Sequence, residues 1–175
     1  MTIMEYFPTL AKIMGEGAFT DSFGTMCLSW LDDNVYAIRY IQIRECYREY
    51  AVKNMVQLTA VLGGKWAEKY AVPKLLSYQM NTNYLFRMTP LFALPLLVAY
   101  LPQTCVEKTV VPYILNQIVD KVPNIRVNVA KGLKLIFPHV KNPSLQSAIS
   151  KAFTQLAADS DADVRYFASK CEVGA

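Results

Sequence analysis

From Asn124 onward, Ile125, Val129, Leu133 and Ile136 are set three and four residues apart, the spacing of one buried face of a helix. That face is one copy of a pattern that returns every 39 residues. Phe86, Ile125 and Val164 form one apolar column, Leu62, Leu101 and Val140 a second, and Leu75, Ile114 and Phe153 a third. Polar positions keep the same interval. Arg48, Arg87, Arg126 and Arg165 recur with it, and Asn81, Asp120 and Asp159 stand six residues before the last three arginines. Each period predicts a helix A, a short turn and a helix B. Helix A is expected at 67–79, 105–119 and 144–158, and helix B at 84–100, 124–140 and from 163 on. The turns between them fall at 80–83, 120–123 and 159–162.

A period near 40 without glycine-rich turns predicts an all-α fold, a HEAT-type solenoid of stacked antiparallel helix pairs. Residues 1–175 read as a single array of roughly four helical hairpins plus one leading half-repeat. Thr2 to Met14 resembles a B helix with no A helix before it, so its face of Ile3, Phe7, Leu10 and Met14 is expected to lack a neighbour. The array is expected to be truncated at its N-terminal end, as the tail of a longer one. Asn124, Asp163 and Ser144 are expected as N-caps, since a short side-chain oxygen can accept the orphan amides of a first turn. Pro73 and Pro112 share one register inside helix A and predict a built-in bend; Pro90 and Pro95 predict a kink in the B helix that holds them.

The period fails once. Asp33 and Arg39 are six apart like the other pairs, but Arg39 to Arg87 is 48, nine residues too many. An insert of Tyr40 to Arg48 accounts for it. Nine residues at 100° each add two and a half turns, so a continuous helix would carry the preceding residues to its opposite face. Either the insert bulges out as a loop, or Arg48 takes the ladder position and residues 34–39 are displaced. It is read either as a new docking element or as a splice or gene-model variant that damages the repeat.

Composition narrows the function. Apolar residues make up 53% and charged residues 18% of the chain, which suits helices buried on two sides and surface that a partner covers. A net charge of +4 without a basic run or an aromatic RNA-binding motif argues against nucleic acid. The longest apolar run, Leu91 to Leu101, is interrupted by Pro95 and falls short of a membrane span. Cys27, Cys46, Cys105 and Cys171 are scattered and His139 is the one histidine, so no zinc spacing exists; the cysteines read as small buried hydrophobes. Gly63-Gly64-Lys65 lacks the phosphate-loop spacing. No catalytic constellation, cofactor site or metal site is expected. A reduced compartment follows, cytoplasmic with the nucleus also open.

Several stretches carry a resemblance. Trp30-Leu-Asp-Asp-Asn-Val-Tyr-Ala-Ile-Arg39, Gly64-Lys-Trp-Ala67, Asn83-Tyr-Leu-Phe-Arg-Met-Thr89 and Pro123-Asn-Ile-Arg-Val-Asn-Val-Ala-Lys131 closely resemble the C-terminal HEAT repeats of the protein phosphatase 2A scaffold (A, 65-kilodalton) subunit family. Ser144-Leu-Gln-Ser147 and Asp161-Ala-Asp-Val-Arg-Tyr-Phe-Ala168 continue it, and only 40–48 stand outside. The resemblance implies a non-catalytic scaffold whose intra-repeat turns bind the phosphatase catalytic subunit. By position that ridge includes Asn34 and Tyr36, then Asn83, Tyr84 and Arg87, then Pro123 and Asn124, then Asp161, Asp163 and Tyr166. Upstream repeats of the family bind the regulatory subunit, so that partner is not expected here. The insert puts Asn34 and Tyr36 in doubt.

The Asp/Asn…Arg pairs also have a structural reading. Asp33 with Arg39, Asn81 with Arg87, Asp120 with Arg126 and Asp159 with Arg165 would form a ladder along one ridge, each arginine bridging its own carboxylate and that of the next unit. Exposed pairs of this kind contribute about 0.2–1 kcal/mol each. Arg87, lacking an aspartate in its own unit, is the arginine best placed to reach a partner instead. Tyr36, Tyr84 and Tyr166 are either interface anchors or rings packed over the next turn. Trp30 and Trp66 are expected in the core, and His139 at a solvated helix end. Other readings are a different helical-repeat adaptor, a ligand-binding helical domain, or a truncated scaffold without independent function.

Overall fold

The apolar columns dictate helices that must be covered on two sides, and helices are what the computed structural model contains. It describes residues 6–32 and 41–171, with the side chains of 41–50 outside the description. Among the described residues there is no strand, and the helices pair as in a HEAT-repeat-like solenoid. The chain divides into two compact units, one ending at Lys74 and one beginning at Leu75.

In the first unit, α1 (Phe7–Met14) packs on α2 (Glu16–Phe19) and on the long α4 (Ile41–Leu62), with α3 (Thr25–Ser29) completing the first helix A. Phe7 is not bare. It is 4% exposed and meets the rings of Phe19, Phe23 and Trp30 edge-on at 6.0, 5.5 and 5.0 Å. What α1 leaves open is Ile13, at 77%. Gly15 (φ 78°) and Gly63 (φ 91°) turn the chain between hairpins in the left-handed region that glycine tolerates. They lie 48 residues apart, so the nine extra residues fall within one repeat. Trp66 is core at 1% exposure, its indole N–H donating to Thr20 Oγ1 at 3.0 Å, whereas Trp30 is half-buried. Lys74 pairs with Asp32. Residues 41–48 of the insert do not form a loop: they continue α4 as helix.

Helix A contains a recurring irregularity. After α5 (Gly64–Trp66) and α8 (Gln103–Cys105) the chain makes a π turn, Ala67–Ala71 and Val106–Val110, before α6 (Val72–Leu76) and α9 (Val111–Asn116). Val72 and Val111 N–H reach Ala67 and Val106 carbonyls, five residues back instead of four. The widened turn makes room for the rings of Pro73 and Pro112, which would clash with a regular preceding turn. Proline is not the cause, however. The first helix A makes the same π turn at Thr20–Gly24 with Thr25 in the proline's neighbourhood.

The second unit contains three B helices, α7 (Tyr84–Leu97), α10 (Pro123–Ile136) and α12 (Ala162–Cys171), with α10 packed between the other two. On them lie the A helices α9 and α11 (Pro143–Ala157). The columns close its core: Ile114, Ile125 and Val164 are 0% exposed, and Leu75 and Phe153 are 0 and 2%. Pro90 and Pro95 are buried within α7, which continues as one helix through both. Where Pro95 removes a helical N–H, α10 comes close. A Cβ on Gly132 would stand 3.2 Å from Pro95 Cγ and 3.6 Å from Leu91 O. Cys27, Cys105 and Cys171 are buried; Cys46 lies outside the description.

Candidate protein-docking ridge

Each described intra-repeat turn of the second unit is built by the same backbone logic. Asn81, Asp120 and Asp159 each turn a side-chain Oδ1 onto the N–H two residues on, those of Asn83, Val122 and Asp161, at 2.9 Å. At the first and third of these turns a side chain then caps the following helix. Asn83 Oδ1 accepts from Leu85 N–H at 3.1 Å, and Asp161 Oδ1 accepts from Asp163 and Val164 N–H at 2.9 and 3.1 Å. The expected caps therefore shift. Asp161, not Asp163, caps α12. Asn142, not Ser144, caps α11 by accepting from Ser144 N–H at 2.9 Å. Asn124 lies inside α10, whose first residue is Pro123 after an uncapped Val122. Proline at the first helical position presets the backbone and lacks only an N–H that would be orphaned anyway.

The arginines knit these turns together. Arg126 Nη1 donates to Asp120 O of its own turn at 2.7 Å, while Nε and Nη2 donate to Asp159 Oδ2 and Oδ1 at 2.7 and 2.8 Å. Arg87 repeats this with Asn81 O at 2.8 Å and Asp120 Oδ2 and Oδ1 at 2.9 and 3.0 Å. So each arginine holds its own turn by a carbonyl, not by the carboxylate expected, and reserves its fork for the next turn's aspartate. Arg165 holds Asp159 O and Ser160 O at 2.7 and 2.8 Å, with no carboxylate partner among the described residues.

Burial revises two expectations. The Arg87–Asp120 side chains are 8 and 10% exposed and the Arg126–Asp159 pair 11 and 11%, so these are not exposed pairs. Arg87, 7% exposed overall and engaged on both sides, is not positioned to reach a partner. Burial pushes the Asp120 carboxyl upward, but the hydrogen bonds from Arg87 and Val122 N–H outweigh it and hold it below the usual carboxylate range. The Arg126 hydrogen bonds lower Asp159 in the same way. Burial, with the Asp120 charge, raises the neighbouring Tyr113 phenol.

What the ridge exposes is its outer rim: Asn83, Tyr84, Pro123, Asn124, Asp163 and Tyr166, with Asp161 half-buried. Tyr84 and Tyr166 are 38 and 57% exposed; Tyr166 meets the Phe167 ring edge-on at 5.3 Å. Asn124 is exposed, while its backbone carbonyl and Oδ1 accept from the buried Asn128 Nδ2 at 2.8 and 3.2 Å. Asp33, Asn34, Tyr36 and Arg39 lie outside the described residues.

Sequence reasoning missed a clamp across the link from α10 to α11. Glu107 Oε1 accepts from Lys141 and Asn142 N–H at 3.1 and 3.0 Å and from Gln103 Nε2 at 2.6 Å, and Gln103 also donates to the carbonyl of the exposed His139 at 3.0 Å. The Gln103 hydrogen bond leads the causes that lower the Glu107 carboxyl. A Gln and a Glu one helical turn apart was the available signal. Among the described residues no group of side chains could hold a metal ion, and no helix is long and apolar enough to cross a membrane.

Paired helices, a ladder and a rim of exposed turn residues define a HEAT-repeat-like protein. No family model matches the chain. It is similar to the regulatory A subunit of protein phosphatase PP2A from Saccharomyces cerevisiae, 36% identical over 122 residues, which cover 65% of this chain and 19% of that protein. With the Schizosaccharomyces pombe protein of the same name the identity is 36% over 72 residues, 41% of this chain and 12% of that one. The match thus spans a small part of either relative's length.

Proposed function

We propose that the chain is a non-catalytic scaffold that docks the catalytic subunit of a 2A-type serine/threonine phosphatase along its intra-repeat turns. The observation that carries this reading is the similarity to the PP2A regulatory A subunit, joined to a ridge whose turns are fixed from behind and bare in front. A ladder that fixes the turns relative to one another lets Asn83, Tyr84, Pro123, Asn124, Asp161, Asp163 and Tyr166 meet a partner without ordering cost on binding. Asn34 and Tyr36 belong to the proposal as contacts of the same kind. The chain corresponds on this reading to C-terminal repeats of the scaffold and works in the cytoplasm or nucleus.

The test is a quantified pull-down with purified phosphatase catalytic subunit, using the chain, a Tyr84→Ala/Tyr166→Ala variant and a variant without Tyr40–Arg48. Binding that the double alanine variant weakens by tenfold or so, about 1.4 kcal/mol, supports the ridge. No binding by any form removes this function.

A further inference from the structure

The ridge occupies the N-terminal ends of the B helices. Their C-terminal halves carry a second surface. Phe92 and Leu96 lie one turn apart on α7, 48 and 46% exposed, and Tyr100, in the turn just past its end, is 44% exposed. Leu135 of α10, 53% exposed, holds the position of Leu96 one period later. Lys131 and Lys170 hold the position of Phe92 on α10 and α12, and Lys134 is exposed beside them. Four large apolar side chains this open, on two neighbouring B-helix segments at related register, exceed the scattered hydrophobes of an ordinary surface.

Among the described residues of the second halves of α7, α10 and α12, the charged side chains are cations. Neither α7 nor α10 contains an acidic residue. Lys131 Nζ lies 4.1 Å from the centre of the Phe167 ring, Lys134 Nζ donates to Lys170 O at 3.0 Å, and Lys170 Nζ is 5.9 Å from the Tyr166 ring. Among the described residues none of the three has a carboxylate partner. Within the second unit these exposed cations lie on α10 and α12, while the exposed side chains of α7's second half are apolar.

We propose that this face docks an amphipathic helix of a partner protein, its apolar stripe on Phe92, Leu96, Tyr100 and Leu135 and its acidic flank on Lys131, Lys134 and Lys170. Phe92 and Leu96, one turn apart on α7, match the i, i+4 spacing of a helix lying beside it. The three lysines, without carboxylate partners among the described residues, complement an acidic flank on such a helix. Complementary charge also sets the direction in which the helix can lie.

The test titrates the full chain into a fluorescein-labelled, 18-residue-scale model peptide with leucines at i, i+4, i+7 and i+11 and glutamates along one flank, read by anisotropy. A second peptide replaces the glutamates by lysines. The acidic peptide is expected to bind and the basic one to bind at least about tenfold more weakly. Leu96→Ser/Leu135→Ser should weaken the acidic peptide, and Lys131→Glu/Lys134→Glu/Lys170→Glu should reverse the preference, an outcome unfolding cannot produce. Equal binding of both peptides, binding of neither, or indifference to the substitutions overturns the proposal. So does sedimentation with phosphatidylserine vesicles by a chain that leaves the acidic peptide unbound.

Discussion

Arg126 closes on Asp159 with two parallel hydrogen bonds, 2.7 and 2.8 Å, across 33 residues of sequence. A bidentate pair fixes an angle as well as a distance, so this contact sets how one turn faces the next. With both side chains 11% exposed, it stands between a solvated ion pair and a fully buried one. Arg126→Ala should cost about 2 kcal/mol in urea unfolding, and Arg126→Lys should recover less than half because a lysine cannot span both oxygens. A loss within the error of the measurement would reduce the pair to decoration.

The same contacts make stability depend on acid. Asp120 and Asp159 are held below the usual carboxylate range in the folded chain. Their contribution is therefore complete above the unfolded-state value, about pH 4, and is lost as the pH falls through their folded values. Unfolding midpoints should hold from pH 7 to 5 and fall below pH 4. Asp159→Asn should lower the midpoint at pH 7 and flatten the fall. A profile unchanged by that substitution would place the acid sensitivity elsewhere.

Gly132 is small because α7 lies against it. Gly132→Ala gains about 1 kcal/mol of helix propensity, which the 3.2 Å approach to Pro95 largely offsets, so its stability should stay near that of the parent chain. Gly132→Leu has no such room and should lose about 2–3 kcal/mol. Thermal unfolding of the two variants side by side distinguishes a close helix contact from a position that accepts any residue.

The insert offers a fourth expectation. Residues 41–48 lengthen α4 to 22 residues, against 14 in α7 and α10. Deleting Tyr40–Arg48 restores the 39-residue spacing through this repeat, and affinity for the phosphatase catalytic subunit should rise. Because the removed residues are mainly helical, fractional helicity should not rise with it. Unchanged or weaker binding would show that the insert is accommodated.

Periodicity made the helix pairs legible, because columns such as Leu75, Ile114 and Phe153 record burial directly. It located the arginines at the start of each B helix for the same reason. Partner choice was less legible. Asn81 in place of aspartate suggested an unsatisfied Arg87, yet a backbone carbonyl does what the carboxylate was expected to do, and every residue type has a carbonyl. The π turns were half visible in Pro73 and Pro112 and invisible at Thr25. Capping slipped by two residues at Asp163 and at Ser144, since several short polar residues crowd each turn and only the backbone decides which oxygen faces the free amides. Pro143 could have settled the second case: proline prefers the first helical position, which makes Asn142 the cap.

One arm of each guanidinium is fastened to its own turn before the other two are used. Arg165 is tethered to the Asp159 and Ser160 carbonyls as Arg126 is to that of Asp120, with no carboxylate partner among the described residues. A hairpin emerging during synthesis can therefore set its arginine without waiting for the sequence that follows, and the next hairpin finds a ready receptor. The ladder reads in one direction, each arginine reaching forward. Such a chain is suited to folding in the order in which it is made, with each finished hairpin serving as template for its successor.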